Sequence, residues 1–233
     1  MQPPEGPGAG PAYPSATDGR SGPEFTPSAR IEPGGEGRRD VALCFVGDSF
    51  TAGFGDSKAL GWVGRVVARS QRPDVELTAY NLGVRGQTSS DVAARWRTEC
   101  PPRWAGRGER RLVVSAGRAD LAGGLTTARS RLNLANILDD AAGRGISAFV
   151  VGLAPGTDTV ENERIGALAH AQADVCDRRG VTYVDCFTSL VRHEQWLADL
   201  AAGPDGTHPG QAGYGLLAWL VLHQGWPQWL GVA

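Results

Sequence analysis

Apolar residues follow two alternating patterns from Arg39 to the C-terminus. Compact blocks of aliphatic and β-branched residues predict β-strands at Val41–Val46, Val75–Asn81, Arg111–Ser115, Ile146–Leu153 and Val181–Cys186. Between them, apolar residues recur every three or four positions, which predicts helices at Leu60–Ser70, Ser89–Thr98, Thr126–Arg144, Glu161–Arg179 and Gln211–Leu222. The alternation predicts a three-layer α/β/α fold, in which right-handed crossovers place helices on both faces of a parallel five-stranded sheet.

The first 38 residues show neither pattern. They hold eight of the chain's 15 prolines and eight glycines but few aliphatic side chains. Such a segment buries too little apolar surface to offset the entropy that is lost on ordering. The sequence therefore predicts a disordered tail at residues 1–38 and one folded domain at residues 39–233.

The overall charge limits the kinds of molecule that the protein is expected to bind. The formal net charge is −2, so no global positive field favours binding to nucleic acid. No stretch approaches the ~20 apolar residues that span a bilayer, and the N-terminus lacks a secretory signal pattern. We therefore expect a small-molecule partner at a local site, no nucleic acid and no transmembrane segment, and the oligomeric state stays open.

Cysteine usage indicates the compartment. The four cysteines are widely spaced and form no Cys-x-x-Cys pair. This pattern fits buried thiols better than a disulfide framework or a zinc site, and it predicts a cytoplasmic protein. The cysteines are Cys44, Cys100, Cys176 and Cys186.

A serine follows the first predicted strand, within the segment Gly47–Gly53. A hydroxyl at such a turn is exposed at the sheet edge, where nearby backbone N–H groups can point at a developing oxyanion. Ser49 is therefore a candidate nucleophile. Taken alone, however, a Gly-Asp-Ser turn is better explained as a helix cap.

An acid and a histidine lie in a loop just before the last predicted helix. Asp205 precedes His208 by three residues, a spacing at which a carboxylate can orient the imidazole through Nδ1–H and leave Nε2 to accept a serine proton. Asp-Gly is also a favoured turn dipeptide. For this pair alone, the two interpretations are evenly balanced.

The segment Asn81–Ser89 follows the second predicted strand and carries two glycines. The backbone N–H of Gly86 can donate to an oxyanion. The alternative is an ordinary strand-to-helix turn in which Ser89 or Ser90 caps the next helix.

Together these segments resemble the GDSL-type, or SGNH, hydrolase family, in which four short blocks supply serine, glycine, asparagine and histidine to an esterase site. The resemblance runs from the first predicted strand to the last predicted helix. It implies that Ser49 is the nucleophile and an oxyanion donor, Gly86 the second backbone donor, Asp205 the orienting acid and His208 the general base. It also implies a flavodoxin-like sheet in the order 2-1-3-4-5, and chemistry without a metal or other cofactor.

One block departs from the family pattern. Where the family usually has Gly-x-Asn-Asp, this chain has Gly117, Arg118, Ala119 and Asp120. Ala119 carries no side-chain donor, and the loss of one oxyanion donor typically costs roughly 10²–10³ in turnover. Arg118 can in principle bring a cationic donor to the oxyanion, although we expect it to be exposed to solvent. Asp120 is expected to brace the loop.

The sequence therefore predicts a serine esterase or acylhydrolase that cleaves an ester or thioester through an acyl-enzyme on Ser49. Three alternatives stay open: acyl transfer to another acceptor, a rewired site for elimination or cyclisation, and a non-catalytic protein that binds an acylated ligand. Ala119 favours the last two. The joint presence of Ser49, Asp205 and His208 favours hydrolysis or transfer.

The remaining histidines and the C-terminal aromatic residues are expected to have structural roles. The histidines outside the candidate site predict no metal site: His170, His193 and His223. Three tryptophans are interpreted as packing residues rather than as a ligand pocket: Trp219, Trp226 and Trp229. The last helix is expected to end at three stop signals: His223, Gly225 and Pro227.

Overall fold

The computed structural model describes residues 37–203 and 205–232. The predicted tail at residues 1–38 therefore lies, apart from its last two residues, outside the described part of the chain, and that prediction stays untested. The first strand begins at Arg39, which is the first residue of the predicted domain.

Within the described residues, one parallel sheet of five strands has the order β2-β1-β3-β4-β5. The strands are β1 (Arg39–Gly47), β2 (Val75–Gly83), β3 (Glu109–Ser115), β4 (Ser147–Val151) and β5 (Thr182–Val184). The predicted α/β class, the parallel sheet and the strand order are thus confirmed. The predicted fourth and fifth strands were too long, since Ile146, Leu153 and Cys186 lie outside them.

Eleven helices flank this sheet in the described part of the chain. They are α1 (Ser49–Ala52), α2 (Gly61–Ser70), α3 (Ser89–Glu99), α4 (Pro101–Trp104), α5 (Arg118–Ala122), α6 (Thr127–Gly143), α7 (Thr159–Asp177), α8 (Cys186–Leu190), α9 (Glu194–Ala202), α10 (Gln211–His223) and α11 (Trp226–Leu230). The five predicted helices correspond to α2, α3, α6, α7 and α10, with ends that differ by at most two residues. The six others were not predicted, because helices of four to nine residues are too short to show a clear period.

The C-terminal stop signals were only partly right. His223 ends α10, as expected, but Pro227 lies in the first turn of a further helix, α11, rather than in a terminating loop. Proline is tolerated there because the first N–H groups of a helix have no partner within it. Gly225, with φ of 89°, makes the turn between the two helices.

The central strand β1 is buried on both faces and joins the two halves of the core. Val41, Leu43 and Phe45 pack in the cluster that includes residues of α2 and α10. The alternate positions of the strand, which include Cys44 and Val46, pack in the cluster that includes residues of α3 and α6. Because both faces are covered, the carboxyl end of β1 is a rigid point from which the next turn projects.

The tryptophan and cysteine predictions can be compared with this core. Trp226 is fully buried against Phe45 and Phe149, as a packing residue should be. Trp219 corrects the prediction: it is 56% exposed and stacks on His223 at the surface.

All four cysteines are buried free thiols. Among the described residues, no helix combines the length and the apolar character that crossing a membrane requires.

Candidate active site

Ser49, His208 and Asp205 form one continuous chain of hydrogen bonds. His208 Nε2 lies 2.7 Å from Ser49 Oγ, and His208 Nδ1 lies 2.7 Å from Asp205 Oδ2. An ionised carboxylate can only accept, so Nδ1–H donates to Asp205 and the unprotonated Nε2 accepts from the serine hydroxyl. The structure thus brings together residues that lie up to 159 positions apart in the sequence.

Two glycines allow the turn that carries Ser49 to lie against the neighbouring strands. A Cβ on Gly47 would overlap the carbonyl oxygen of Ser115 at the end of β3, and a Cβ on Gly83 would overlap the backbone of Ala52 in α1. Thr51 Oγ1 also donates to the Ser115 carbonyl at 3.2 Å. The first turn of α1 is therefore fixed from both sides.

Asp48 caps α1 directly before the serine. Its Oδ1 accepts the Phe50 N–H at 3.0 Å, and its side chain is almost completely buried. Burial raises the pKa of Asp48 to about 6, although the Phe50 N–H and the charge of Arg118 act in the opposite direction. The capping interpretation of the Gly-Asp-Ser turn is thus correct for Asp48, while Ser49 itself is left to face His208.

The His208 loop is held by its own acid. Asp205 Oδ1 accepts the backbone N–H groups of Thr207 at 3.0 Å and His208 at 2.9 Å, while Oδ2 holds the ring. Burial opposes ionisation of Asp205, but hydrogen bonds from the backbone and ring of His208 outweigh it, and the pKa of Asp205 lies below its usual range. One carboxylate therefore both shapes the turn and holds the ring of His208.

Two phenylalanines fix the plane of the imidazole. The ring centroid of Phe50 lies 5.0 Å from that of His208, and the ring of Phe54 meets the His208 ring edge-on with 4.9 Å between centroids.

The Phe54 carbonyl accepts a hydrogen bond from the Tyr214 hydroxyl at 2.7 Å, which ties this loop to α10. Asp199 of α9 accepts the N–H groups of Gly210 and Gly213 and so fixes the start of the same helix.

Gly86 lies at the edge of the site in a left-handed conformation, with φ of 74°. Among the described residues, neither its N–H nor that of Ser49 donates a hydrogen bond. The helix after this turn is capped by Thr88 in a reciprocal pair with Asp91, so the expected caps Ser89 and Ser90 were wrong. Thr88 holds the position because Asp91 stands three residues after it.

Arg95 of α3 was missed by the sequence analysis. Its Nη2 donates to the carbonyls of Gly47 at 3.0 Å and Leu82 at 2.8 Å, at the ends of β1 and β2. Its Nε donates to Gln87, next to Gly86. One guanidinium thus ties the serine turn to the Gly86 turn. The only local signal is an arginine that lies between two buried positions, Val92 and Trp96, on the inner side of a helix.

Arg118 requires a correction. It was expected to be exposed, but its side chain is only 9% exposed and is paired with Glu161 at the start of α7. The two contacts are 2.6 Å from Nη1 to Oε1 and 3.0 Å from Nη2 to Oε2. The partner stands 43 residues further along the chain, so local turn geometry alone could not predict the burial. Hydrogen bonding by Arg118 holds the pKa of Glu161 below its usual range.

Asp120 braces the loop, as predicted. Its carboxylate is fully buried and accepts hydrogen bonds from the Ser89 N–H and hydroxyl, both at 2.6 Å, and from the Ser130 hydroxyl at 2.5 Å. It therefore joins α5 to the first turns of α3 and α6. Ala119, one residue earlier, lines the cavity over Ser49 with a methyl group only.

A cavity of about 660 Å³ opens over the serine and the histidine. Its walls include Gly86, Ala119 and Ala122, together with Arg85 and the Arg118–Glu161 pair. This volume is in the range of small-molecule sites. Acyl-transfer chemistry needs a nucleophile, a base that is oriented by an acid, and N–H donors for an oxyanion. The groups at this cavity are of the types that could supply these parts.

Comparison with known proteins agrees with this architecture. Residues 45–216 match the GDSL-like Lipase/Acylhydrolase family. A crystal structure of TesA is 23% identical, with a TM-score of 0.63 over 80% of this chain and 98% of that chain. Axe2, an acetylxylan esterase from Geobacillus stearothermophilus, is 18% identical, with a TM-score of 0.67 over 81% of this chain and 94% of its own. The lipase/acylhydrolase from Enterococcus faecalis is 22% identical, with a TM-score of 0.62 over 80% and 96%.

At these identities the structural likeness shows the fold alone. Among functionally curated proteins, none matches the sequence. The family match, in contrast, covers well over half of the chain and includes the serine turn and the His208 loop. The chain therefore belongs to the GDSL-like lipase/acylhydrolase family and is an enzyme of the esterase or acylhydrolase type.

Proposed function

We propose that this protein hydrolyses carboxylic esters or thioesters through a covalent acyl-enzyme on Ser49. The observation that carries the proposal is the unbroken hydrogen-bond chain from Asp205 through His208 to Ser49, which ends in an open cavity. A serine hydroxyl is a weak nucleophile unless a base removes its proton as it attacks. Nε2 of His208 is in place to do so.

The reaction has two halves. In the first, Ser49 Oγ bonds to the substrate carbonyl carbon while its proton passes to His208 Nε2. The bond to the leaving alcohol or thiol then breaks, and His208 returns the proton to that group. In the second, water bonds to the acyl carbon while one of its protons passes to His208 Nε2. The bond from Ser49 Oγ to the acyl group then breaks, His208 returns the proton to Ser49 Oγ, and the acid leaves.

The negative oxygen of each tetrahedral intermediate needs donors. The N–H groups of Ser49 and Gly86 are the backbone candidates, since neither is used by the described part of the chain. Ala119 supplies no third donor, and Arg118 has both terminal nitrogens on Glu161. We therefore propose an oxyanion hole with backbone donors only, which predicts modest turnover rather than none.

A fluorophosphonate probe tests the nucleophile. We expect a covalent adduct on Ser49 by mass spectrometry, and none in Ser49→Ala or His208→Ala. Both variants are expected to lose at least roughly 10³-fold of the ester turnover, because the residues act as one unit. Ser57→Ala is the matched control, since its hydroxyl bonds Gln211 instead of a histidine. Wild-type turnover in Ser49→Ala would disprove the assignment.

The same experiment decides between hydrolysis and the non-catalytic alternative that Ala119 favours. A protein that only binds an acylated ligand would show neither the Ser49 adduct nor turnover of any ester, although it would remain folded by circular dichroism.

A further inference from the structure

Arg85 lies on the wall of the candidate active-site cavity, next to Gly86. Its guanidinium carbon is 3.4 Å from the centre of the Phe54 ring, and Phe54 in turn packs edge-on against His208. Stacking on an aromatic face holds a guanidinium in one orientation and is favourable in its own right. Arg85 is itself exposed to solvent, but the stacking holds its charge on the cavity wall close to Ser49 and His208.

The stacked arrangement leaves the edge of the Arg85 guanidinium, which carries its hydrogen-bond donors, open to solvent or to a ligand. A guanidinium stacks through its face, while its five N–H groups point outward in the plane. Among the described residues, stacking on Phe54 is the one interaction recorded for the Arg85 side chain, which has neither a hydrogen-bond acceptor nor an acidic partner there. Two other arginines lie over aromatic rings, and both bond to the protein: Arg103 donates to the Glu99 carbonyl, and Arg111 donates to Glu109 and the Trp229 carbonyl.

The charge of the cavity wall is not balanced. Arg118 is neutralised by a two-point contact with Glu161, and the Asp205 carboxylate is engaged by His208. That leaves Arg85 as the uncompensated charge among the described residues that line the cavity. A planar fork of free N–H groups matches the two oxygens of a carboxylate.

We propose that Arg85 forms a carboxylate-binding subsite, and that the preferred substrates are esters that carry a free carboxylate in addition to the scissile bond. This inference rests on the proposed esterase function and names its substrate class. The carboxylate can belong either to the acyl group, as in a half-ester of a dicarboxylic acid, or to the leaving group. Both sources share the chemistry that Arg85 recognises.

Two pairs of esters separate these sources. 4-Nitrophenyl hydrogen adipate is compared with 4-nitrophenyl 6-methylheptanoate, in which an isopropyl group replaces the acyl carboxylate. For the leaving group, 3-carboxy-4-nitrophenyl butyrate is compared with 4-nitrophenyl butyrate. The measured quantity is the ratio of kcat/KM for the anionic ester to that for its neutral partner.

In the wild type, this ratio is expected to exceed that of Arg85→Ala by roughly 10–100-fold for at least one pair, which is the range of a hydrogen-bonded charge contact. Arg85→Lys should keep part of the preference, since it keeps the charge but not the planar fork. Arg69→Ala is the matched control: it removes one exposed positive charge at the end of α2 and should leave the ratio unchanged.

An unchanged ratio in Arg85→Ala for both pairs would overturn the proposal. Equal loss of turnover on neutral and anionic esters would also overturn it, because that result would make Arg85 a donor to the oxyanion in place of the missing asparagine. Only the second result lowers kcat/KM on the neutral esters, so a single data set distinguishes the two.

A binding measurement keeps the inference separate from the esterase proposal. Monomethyl adipate is titrated into Ser49→Ala and into the double variant Ser49→Ala/Arg85→Ala, and binding is followed by ligand-observed NMR. Arg85-dependent binding without turnover in the wild type would support the subsite and overturn the esterase. Turnover in the wild type, with no Arg85-dependent binding and with the same kcat/KM ratio in Arg85→Ala, would support the esterase and overturn the subsite.

Discussion

At the residue scale, Ala119 is the position at which the sequence predicts a missing oxyanion donor. Its methyl group lines the cavity over Ser49, where the resemblance to the family implies an asparagine side chain. The fold around it is otherwise intact, because Asp120 still ties α5 to α3 and α6. The position is therefore held by the same scaffold that would support a side-chain donor.

Ala119→Asn is expected to raise kcat by about 10-fold with little change in KM, because a new amide donor strengthens its bond as the carbonyl oxygen becomes negative. The gain should stay below the full 10²–10³ of a preorganised donor, since no neighbours are arranged to hold the amide. Ala122→Asn adds the same amide to the cavity wall near the other end of α5 and should give no gain. Steady-state kinetics on short 4-nitrophenyl esters and an acyl thioester measure both. Unchanged or lower turnover in Ala119→Asn would show that another group already fills the donor position.

Asp48 is the second residue with an informative environment. Its folded-state pKa of about 6 lies above the usual 3.8 because the carboxyl is buried. Between these two values the folded protein binds more protons than the unfolded chain, so the stability that Asp48 contributes falls as pH rises. Above about pH 6 the fold holds a buried negative charge directly before Ser49.

Asp48→Asn removes this titration but keeps an oxygen that can accept the Phe50 N–H. The free energy of unfolding of the wild type, minus that of the variant, is expected to decrease by about 1.4 kcal/mol between pH 5 and pH 7.5. Urea denaturation at the two pH values measures it. A difference that is constant or grows with pH would contradict the assigned direction.

At the element scale, close approach decides how the serine turn is built. The turn after β1 fits between β2 and β3 only because Gly47 and Gly83 have no Cβ. The helix that follows has four residues and little stability of its own. Tertiary contacts, rather than helix propensity, therefore hold Ser49 in place.

Gly47→Ala should destabilise the protein by roughly 2 kcal/mol or more and should slow fluorophosphonate labelling of Ser49, because overpacking forces the backbone to shift. Gly215→Ala is the control. Gly215 lies inside α10, has no atom within 4 Å of an added Cβ, and should gain roughly 0.5–1 kcal/mol from lower unfolded-state entropy. Thermal melting and labelling rates of the two variants check the contrast. Normal labelling in Gly47→Ala would show that the turn tolerates the shift.

At the scale of the whole molecule, the first strand begins at a well-anchored residue. Arg39 pairs with Glu109 at 2.7 Å and donates to the carbonyls of Leu230 and Gly231. These contacts join the start of the central strand to β3 and to the C-terminal helix. Hydrogen bonds from Arg39 and Arg111 lower the pKa of Glu109 to about 2, so the pair stays charged at all ordinary pH values.

Deletion of residues 1–38 is expected to leave the Tm within about 4 °C of the full chain, the shift that 1 kcal/mol produces at this size. Their composition provides too little apolar surface to join the core. Arg39→Ala in the full chain should lower the Tm by a few degrees, because it breaks a partly exposed pair worth roughly 1 kcal/mol together with two backbone contacts. A larger fall on deletion than on Arg39→Ala would show that the deleted segment packs.

Much of the architecture is determined locally and was therefore predictable. The central strands β1, β3 and β4 are runs of mostly aliphatic residues because they are buried in the middle of the sheet. The Asp205–His208 pair is separated by three residues, so a single turn determines its geometry. The turn that holds Ser49 was equally visible as a motif.

Only the tertiary structure decided which contacts the arginines around the site make, because their partners are far apart from them in the sequence. Arg118 is buried because Glu161 meets it from a helix 43 residues away, and Arg95 reaches the carbonyl of Gly47 across 48 residues. The stacking of Arg85 on Phe54 likewise needs two different loops to meet. The sequence by itself determined which segments form the sheet and which side chains are the candidates for the chemistry. The fold alone decided which charges around Ser49 are cancelled and which remain free, since a charge is neutralised by its neighbours in space.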